Sequence, residues 1–538
     1  CRTVRARLPK SFTTRIWAED PNDPDNRRQM KDAELHKLVK TGFINAQRGL
    51  DDETSKESDI LAKVLENMFS TAASEHADVA DKAVAEALTT AVRDIQTQMD
   101  GSFRNQLNKL LPALKTFGYP GLGGQELHTE TTLDVRRLLS NFTKVRYAGH
   151  QGVALPESYN GLGIRNLIYI LLQLVRFYKE FRTEQPAPSV NLIFIEEPEA
   201  HLHPQMQESF IRQLPKIAQQ LVANENGTPP WPVQFVVSTH SSHIANEVGF
   251  ECIRYFLSAD APHAQPGVRH TKIKDLRSGM AGTPEPDKKF LHQYLTLTSC
   301  DLFFADKAIL VEGLCERLLL PIIVEKLEES EPDAPRLSSQ YTTTLDVGGA
   351  HAQLFLDLLN FLELRSLIIT DLDAAEETQT KKGPRWTKCA VHEGQRSSNN
   401  CLRSWFPKND PLTLAALKSK TDDDKRKGMI RIAYQHAETE NGPCGRTFED
   451  AFILANMTKF GLCGTTSEEL EAEALEEAAA QKKSEFALKH AIADTKWEAP
   501  RYILDGLRWL ATDEKPAQDP ALATAIAAAD SSDTGEPA

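Results

Sequence analysis

The sequence predicts an α/β protein with two successive parallel-sheet domains, the first interrupted by a helical insert and the second extended by helices at its end. Three observations predict this fold class. Strand-like and helix-like runs alternate over residues 116–260 and again from residue 301. Residues 51–114 contain almost no Gly or Pro and have apolar residues at helical spacing. Strands that alternate with helices form parallel sheets, in which ligands bind at the carboxyl ends of the strands.

Composition excludes several classes of protein. The chain has 538 residues, of which 41% are hydrophobic, and this is enough for about two to four domains with their own cores. Its most apolar run, residues 167–177, is broken by Gln173 and Arg176, so no membrane span and no membrane partner are expected. The net charge of −14 argues against a surface that covers nucleic acid everywhere, but it permits a local basic groove. Eight cysteines without framework spacing favour a cytoplasmic location.

Breaks in the pattern predict the domain boundaries. Residues 1–50 mix short strand-like stretches with polar turns, and residues 261–300 open with a stretch rich in Pro, Gly and His. The predicted order is a remainder of the first lobe at 1–50, a helical insert at 51–115, the main lobe at 116–260, a linker at 261–300, a second α/β domain at 301–515 and a disordered tail at 516–538.

An apolar strand at residues 192–197, with the sequence LIFIEE, ends in the carboxylates of Glu196 and Glu197. Adjacent acids at a strand end can divide two tasks, because one can hold Mg²⁺ through water while the next orients the attacking water. A second apolar strand, residues 233–237, runs into a Ser-Thr-His segment that contains His240. If the two strands are neighbours, the imidazole lies beside the acids, where it can contact a γ-phosphate.

A glycine-containing loop, residues 158–163 with the sequence SYNGLG, precedes a long predicted helix. Small residues allow the backbone to approach a phosphate, and the N-terminus of a helix favours negative charge. The loop therefore presents Asn160, Gly161 and Gly163 as candidate phosphate-binding residues.

The glycine loop, the acidic strand with its PEAHLHP continuation and the STHSSH strand end occur in an order that resembles the ABC-type ATPase heads of chromosome-maintenance and DNA-repair proteins. The resemblance implies ATP as a ligand, with Asn160, Gly161 and Gly163 in the signature loop that covers ATP bound to an opposite subunit. It also implies that Glu196 and Glu197 are the Walker B pair, with Glu196 replacing the more usual Asp, and that His240 is the switch histidine.

The chain departs from that pattern at one point. Its sequence contains no G-x-x-x-x-G-K-[ST] loop, whose lysine contacts the β- and γ-phosphates. In such heads this loop lies N-terminal to all of the motifs above, and the first residue here is Cys1 rather than Met. We therefore interpret the chain as the downstream part of a longer one and expect no ATP hydrolysis by this chain alone.

Two further strands end in acids that indicate a metal site. Residues 308–316, AILVEGLCE, bring Glu312 to a strand end and Glu316 to the first turn of the next helix. Residues 367–373, LIITDLD, place Asp371 and Asp373 on one side of an extended chain. Four carboxylates at two strand ends suit Mg²⁺ or Mn²⁺, because hard cations prefer oxygen ligands.

The order of strand-Glu-Gly, the Gly348-Gly349 pair before a helix and Asp-x-Asp resembles the TOPRIM fold of topoisomerases, primases and some nucleases. An ABC-type ATPase head fused upstream of a TOPRIM domain resembles the OLD (overcoming lysogenization defect) family of ATP-dependent endonucleases. The resemblance covers roughly residues 30–515 and implies that the helical insert serves dimerisation.

Two later segments extend this resemblance. Residues 445–452, GRTFEDAF, resemble the segment that brings a further metal-site acid, which is Glu449 with Asp450 as the alternative. Residues 483–487, KSEFA, resemble the segment of the catalytic lysine. The resemblance thus gives Lys483 the role of stabilising the charge that develops on the scissile phosphate.

The implied function is a homodimeric, ATP-regulated endonuclease that hydrolyses DNA at a two-metal site, in defence against phage or mobile elements. The implied metal ligands are Glu312, Glu316, Asp371, Asp373 and Glu449. The alternative is a non-nucleolytic ABC ATPase of DNA repair or chromosome maintenance with a DNA-binding TOPRIM domain, against which the strand-end acids argue. A primase or topoisomerase would keep the same acids, but no polymerising context or DNA-linking tyrosine domain is evident.

Two other patterns carry weaker predictions. The Cys389-x-x-His392 pair with Cys401 and Cys444 lacks paired C-x-x-C spacing and is not expected to bind zinc. Basic runs at 381–388 and 425–427 follow the Asp-x-Asp strand and are candidates for contact with DNA phosphates.

Overall fold

The computed structural model divides the chain into two units, Cys1–Glu247 and Val248–Ala538. It describes residues 15–20, 23–46, 60–116, 130–143, 146–148, 154–156, 161–223, 230–260, 269–298, 301–380, 383–407 and 412–512. Asn160 of the glycine loop and the tail predicted at 516–538 lie outside these residues.

The first unit is built around a three-stranded parallel sheet. Its strands are β1 (Ile16–Asp20), β2 (Asp23–Met30), β3 (Val39–Ile44), β4 (Arg146–Ala148), β5 (Ala154–Pro156), β6 (Val190–Glu196) and β7 (Val233–Ser238). Its helices are α1 (Asp32–Leu38), α2 (Ile60–Ala72), α3 (Val79–Thr116), α4 (Val135–Phe142), α5 (Leu162–Thr183), α6 (Pro204–Ala223) and α7 (Ser242–Ala245). The parallel sheet has the order β3-β6-β7, while β1 with β2 and β4 with β5 form separate antiparallel pairs.

Helices cover the apolar face of this sheet. Ile193 and Ile195 of β6 are fully buried and alternate with half-buried neighbours, as expected for a strand whose two faces have different surroundings. Leu174 and Phe177 of α5 and Phe210 of α6 complete the same core. β6 and β7 are adjacent and parallel, so the acidic strand end and the Ser-Thr-His strand end lie at one edge of the sheet.

The helices α2 and α3 lie in the segment whose sequence predicts a helical insert. Leu61 and Val64 of α2 are buried, and α2 packs against α4 and α5. The 38-residue helix α3 is joined to α5 by an ion pair between Asp81 and Lys179. The helical spacing in the sequence therefore predicted these elements correctly.

The second unit contains a mixed five-stranded sheet of order β11-β10-β12-β17-β16 and a three-stranded antiparallel sheet of order β14-β13-β15. Its strands are β8 (Arg254–Asp260), β9 (Arg269–Asp275), β10 (Lys307–Val311), β11 (Thr342–Asp346), β12 (Arg365–Ile369), β13 (Ala374–Thr380), β14 (Gly383–Lys388), β15 (Arg396–Ser397), β16 (Arg426–Lys427) and β17 (Ile430–Ala433). Its helices are α8 (Leu276–Gly279), α9 (Glu285–Thr298), α10 (Leu314–Ser330), α11 (Leu356–Leu362), α12 (Asn400–Trp405), α13 (Leu414–Lys418), α14 (Phe448–Ala455), α15 (Met457–Phe460), α16 (Ser467–Ala480), α17 (Lys483–Leu488) and α18 (Arg501–Ala511).

Every residue of β10, β12 and β17 is buried, because the four strands β11, β10, β12 and β17 are parallel and helices cover the sheet. The helix α18 lies so close to β12 that a Cβ at Gly506 would be 2.9 Å from Leu367 Cδ1. The aromatic residues Phe452, Phe486 and Trp497 extend this core among the C-terminal helices. This is the helical elaboration that the sequence predicts after the second α/β domain.

The segment predicted as a linker, residues 261–300, contains regular structure. β8 and β9 form an antiparallel hairpin, and α9 follows it with Leu291 and Leu295 buried. These elements belong to the second unit, which starts at Val248. The prediction followed the Pro-, Gly- and His-rich composition of residues 261–286, of which 261–268 lie outside the described residues, and missed the apolar spacing of α9.

Among the described residues, no helix is long and apolar enough to cross a membrane.

Candidate metal centre and nucleotide-binding elements

Carboxylates gather at one edge of the five-stranded sheet. Glu312 follows β10 and Asp371 follows β12, and these two strands are parallel neighbours, so both acids lie at the same sheet edge. Glu316 is buried in the first turn of α10. The pKa of Asp371 is raised well above its ordinary value by burial and by the negative charges of four surrounding residues, namely Glu312, Glu316, Asp373 and Glu449. All five acids that the sequence predicts are therefore close enough to interact electrostatically.

The buried acids oppose one another's ionisation. Burial raises the pKa of Glu316 to about 7, and the charges of Glu449 and Glu312 act in the same direction. Burial also raises the pKa of Glu312, although hydrogen bonds from Thr370 and Asn399 oppose the rise. Carboxylates close together in a dry site are costly to ionise, and a bound cation would relieve that cost.

Two hydrogen-bond networks hold the strand-end acids. Glu312 Oε1 accepts from the Thr370 hydroxyl and from Asn399 Nδ2, the latter at 2.9 Å, and Asn399 Nδ2 also lies 3.0 Å from Thr370 Oγ1. Asp371 Oδ1 accepts from Gln435 Nε2 at 2.7 Å, and Gln435 is buried. Asn399 and Gln435 come from loops distant in sequence, and no motif spacing predicts them.

Asp373 is held by an arginine that the sequence analysis did not single out. Arg446 Nη2 lies 2.5 Å from Asp373 Oδ1, and Arg446 Nε donates to the Ala374 carbonyl at 3.1 Å. The backbone of Asp373 is left-handed, with φ of 50°, so the chain turns away from the strand direction here. Arg446 lies within the GRTFEDAF segment, and a cation beside the acid positions was the signal that could have indicated it.

The structure distinguishes the two acids that follow Arg446. Asp450 accepts from the backbone N–H groups of Arg446 at 2.7 Å and Thr447 at 2.6 Å, which is the capping box of α14. Glu449 is instead paired with Lys483, whose Nζ lies 2.9 Å from Oε1. Partial burial lowers the pKa of Lys483, but the Glu449 carboxylate raises it, and the net change is a raised pKa. The Lys483 side chain is 70% exposed and can face a substrate.

These residues fit a divalent cation by their chemistry. The set is all carboxylate oxygen, which is what Mg²⁺ and Mn²⁺ prefer. Within the described ranges, no three His, Cys, Asp or Glu side chains are arranged as a complete ligand group. Thr370, Gln435, Arg446 and Lys483 each contact one of these carboxylates.

A buried glutamate ties the loops of this centre together. Glu471 of α16 accepts from the His392 backbone N–H at 2.7 Å and from the Cys444 backbone N–H at 2.8 Å. Glu471 is buried, although the stretch around it, residues 468–480, contains six Glu and neither Lys nor Arg. We call this contact the Glu471 clasp.

The weaker sequence patterns have structural explanations. Burial raises the pKa of the Cys389 thiol to about 11 and those of Cys401 and Cys444 to about 12, so these thiols are protonated at neutral pH. Lys425 and Lys427 lie over the rings of Tyr434 and Trp405. Two side chains of the basic run at 425–427 therefore contact their own unit, although Lys427 stays exposed, and Lys381 and Lys382 of the other run lie outside the described residues.

In the first unit, the acidic strand end and the Ser-Thr-His strand end are neighbours, because β6 and β7 pair. Glu196 pairs in register with Ser238, and His240 Nε2 lies 3.4 Å from Glu197 Oε1. Glu199 Oε1 accepts from the His240 backbone N–H at 2.7 Å and from Thr239 Oγ1 at 2.9 Å. The sequence analysis missed Glu199, although it is the acid of the PEAHLHP segment.

The glycine loop meets the same PEAHLHP segment. Gly161 caps the N-terminus of α5, and a Cβ at Gly163 would lie 2.5 Å from the His201 carbonyl oxygen. Asn166, fully buried one turn later, donates to the Pro198 carbonyl at 3.1 Å and to the Ala200 carbonyl at 2.8 Å. Glycine at position 163 is therefore required by close packing of backbone on backbone.

Comparisons with known proteins agree with this division. A family model described as "AAA ATPase domain" matches residues 8–245, and one described as "Overcoming lysogenization defect protein-like, TOPRIM domain" matches residues 303–373. Endonuclease GajA of Bacillus cereus is 27% identical over 409 residues, which cover 70% of this chain and 57% of that protein. OLD nuclease of Thermus scotoductus is 27% identical over 260 residues, which cover 45% of this chain and 42% of that protein. The chain thus spans about half the length of these relatives.

The fold, the site and the matches define the class: an AAA ATPase domain followed by an OLD-like TOPRIM domain. The chain is homologous to GajA and OLD nuclease, and the order of its two matched domains is consistent with the ATPase-TOPRIM fusion of the OLD family, which confirms the predicted resemblance.

Proposed function

We propose that this chain is a DNA endonuclease that hydrolyses phosphodiesters with Mg²⁺ or Mn²⁺ in its TOPRIM domain and is controlled by its ATPase domain. The observation that carries the proposal is the convergence of five acids around Asp371, at the shared edge of β10 and β12, whose mutual repulsion a bound cation would relieve. The names of the two relatives, an endonuclease and a nuclease, support the same activity.

The proposed metal ligands are Glu312, Glu316, Asp371, Asp373 and Glu449. When bound, two divalent ions supply an activated water on one side of the phosphate and stabilise the leaving oxygen on the other. The chain's own contribution is to fix the acids before metal binds, through Thr370 and Asn399 on Glu312 and through Arg446 on Asp373. We assign the metal role to Glu449 rather than Asp450, because both carboxylate oxygens of Asp450 accept backbone hydrogen bonds.

Lys483 is the proposed catalytic cation. Its ammonium is held against Glu449 and its side chain is largely exposed, so it can turn toward a phosphate that reaches the carboxylates. A preorganised positive charge at this place would stabilise the charge that develops on the phosphate oxygens during cleavage.

In the ATPase domain we propose that Glu196 and Glu197 act as the Walker B pair and His240 as the switch histidine. The Glu199 carboxylate fixes the main chain of His240, and the imidazole faces Glu197. Asn160, Gly161 and Gly163 are proposed as the signature loop, for which the close packing of Gly163 on His201 gives a rigid support.

The proposed assembly is a homodimer formed through the helical insert. Exposed apolar side chains lie along α3, at Val84, Leu88 and Ile95, with spacing that places them on one face of the helix. Light scattering should show a dimer for the parent chain and a monomer for a Val84→Glu, Ile95→Glu double variant. A dimer that survives both changes would contradict this assembly. Defence against phage and a cytoplasmic location are proposed from the resemblance to the OLD family.

The test is a plasmid-nicking assay with Mg²⁺ or Mn²⁺, in the presence and absence of ATP. Asp371→Ala and Glu312→Ala should each abolish cleavage while the far-UV circular dichroism stays unchanged. Glu325→Ala is the matched control, because Glu325 is exposed on the same helix as Glu316. If either site variant nicks as fast as the parent, the metal site is assigned wrongly. If the parent binds DNA but never cleaves it, the non-nucleolytic ATPase becomes the better interpretation.

A further inference from the structure

The strand β13 continues directly from the metal centre, since it begins at Ala374, the residue after Asp373. It is the central strand of the three-stranded sheet β14-β13-β15. Ala375 pairs with Lys388 of β14 on one side and with Arg396 of β15 on the other. This row of residues lies two positions beyond Asp373, or about 7 Å along the strand.

One face of this small sheet is basic. Residues directly opposite each other in antiparallel strands place their side chains on the same face, so Lys388 and Arg396 share a face. Trp386 is two positions from Lys388 and lies on that face as well. Both basic residues are exposed. We call Trp386, Lys388 and Arg396 the basic face.

The geometry of the basic face favours a phosphate over a base. The Arg396 guanidinium carbon lies 3.6 Å from the centre of the Trp386 ring, so the cation already covers the indole. A guanidinium stacked on an aromatic ring keeps its N–H donors at its edge, where they match the oxygens of a phosphate. No ion pair joins Arg396 or Lys388 to a carboxylate within the described part of the chain.

We propose that the basic face binds the sugar-phosphate backbone of duplex DNA beside the scissile phosphate, with Arg396 and Lys388 each contacting a phosphate. The proposal rests on the nuclease function proposed above and names the surface that presents the substrate to it. It also distinguishes between the two basic runs of the sequence. Lys425 is half-buried over the Tyr434 ring and Lys427 Nζ donates to the Trp405 carbonyl, whereas Lys388 and Arg396 are both exposed on the strands that pair with β13.

The same sheet supplies matched controls. Arg385 neighbours Trp386 on β14 and, because side chains alternate along a strand, lies on the opposite face of the sheet. Glu377 pairs with Trp386, so its carboxylate lies on the same side of the sheet as the basic face. Arg385→Gln therefore removes a positive charge from the opposite side of the sheet, and Glu377→Gln removes a negative charge from the side of the basic face.

The experiment measures binding of the full chain to a fluorescein-labelled DNA duplex by anisotropy, in EDTA so that no cleavage occurs, between about 50 and 200 mM NaCl. A Lys388→Gln, Arg396→Gln double variant should bind roughly tenfold more weakly or worse, and the slope of log Kd against log salt should fall by about two. Arg385→Gln should keep the parent slope, and Glu377→Gln should bind more tightly. Thermal melts confirm that each variant is folded.

The proposal is overturned if the double variant keeps the parent affinity and slope, or if Arg385→Gln loses as much as the double variant. A nicking assay separates this outcome from failure of the proposed function. If the parent is active, the double variant should need more DNA for half-maximal cleavage, while its maximal rate stays nearly unchanged. The reason is that the lost phosphate contacts bind the DNA equally before and during cleavage. The parent could fail to cleave DNA while the double variant, but not Arg385→Gln, still loses affinity for DNA. In that case the proposed nuclease function is wrong and the proposed DNA-binding surface is supported.

Discussion

Arg446 and Asp373 are joined twice: Arg446 Nη2 lies 2.5 Å from Asp373 Oδ1, and the Asp373 backbone N–H donates to the Arg446 carbonyl at 3.0 Å. One contact fixes the carboxylate and the other fixes its main chain. The backbone of Asp373 is in the left-handed conformation, which a residue other than glycine rarely adopts. The direction of the Asp373 carboxylate therefore depends on these two contacts more than it would in a regular strand.

We expect Arg446→Ala to raise the Mg²⁺ concentration that gives half-maximal nicking by about 10- to 100-fold, the usual cost of losing a group that orients a metal ligand. Arg446→Lys should recover part of the loss, because the charge remains while the paired N–H geometry does not. Arg403→Ala is the control, since Arg403 is exposed nearby and its guanidinium donates to the Ser398 carbonyl. An unchanged metal dependence of Arg446→Ala would remove Arg446 from the centre.

Substitutions at Glu449 and Asp450 should separate metal binding from folding. Glu449→Gln should abolish cleavage with little change in Tm. Asp450→Asn should lower the stability by about 1–2 kcal/mol, because it weakens the cap of α14, and it should leave folded molecules active. Nicking and thermal melts of the two variants test this. The reverse pattern would make Asp450 the metal ligand.

Burial gives the metal-free protein a distinctive pH dependence. The pKa of Glu316 is raised from 4.5 to about 7, so the folded state binds more protons than the unfolded state between these values. The contribution of this group to stability is therefore complete below pH 4.5 and is lost as the pH rises through 7. Glu316→Gln keeps the shape without the charge and should raise the Tm in EDTA at pH 8, by roughly 2–4 °C for each 1 kcal/mol gained.

Added Mg²⁺ should reverse the order of the two proteins at pH 8. The parent should gain Tm with Mg²⁺, because binding to the folded state alone stabilises it, and Glu316→Gln should gain much less. Differential scanning fluorimetry at pH 5.5 and 8 measures both effects. A parent whose metal-free Tm rises from pH 5.5 to 8, with Glu316→Gln showing the same rise, would show that Glu316 does not govern this dependence.

Two glycines in helices should respond in opposite ways to alanine. Gly163→Ala places a methyl group against the His201 carbonyl oxygen and should destabilise the first unit by about 1–3 kcal/mol. Gly101→Ala in α3 meets no atom within 4 Å and should stabilise by up to about 1 kcal/mol, through helix propensity. Urea unfolding monitored by circular dichroism measures both. Equal effects would mean that the packing at Gly163 is loose.

The sequence predicted the strand ends well because two local signals coincide there, an apolar run and an acid at its end. Glu312 and Asp371 were found in this way. Asn399, Gln435 and Arg446 were missed, because each reaches the acids from a loop far away in the chain, and such pairing leaves no periodic signal. The predicted linker is the opposite case. Its composition, rich in Pro and Gly, led to a prediction of irregular structure, although the apolar residues of α9 have helical spacing.

The Glu471 clasp has a consequence for how this protein can be divided. The match to the TOPRIM family ends at Asp373, whereas Glu449 and Lys483 come later in the chain. The helix α16 lies between Glu449 and Lys483 in sequence. Through the Glu471 clasp it is hydrogen-bonded to the loops that carry His392 and Arg446. A fragment that stops at residue 373, or within α16, would leave buried acids without their partners. The smallest piece expected to fold with the whole acidic centre therefore extends to the end of α18, which packs on β12.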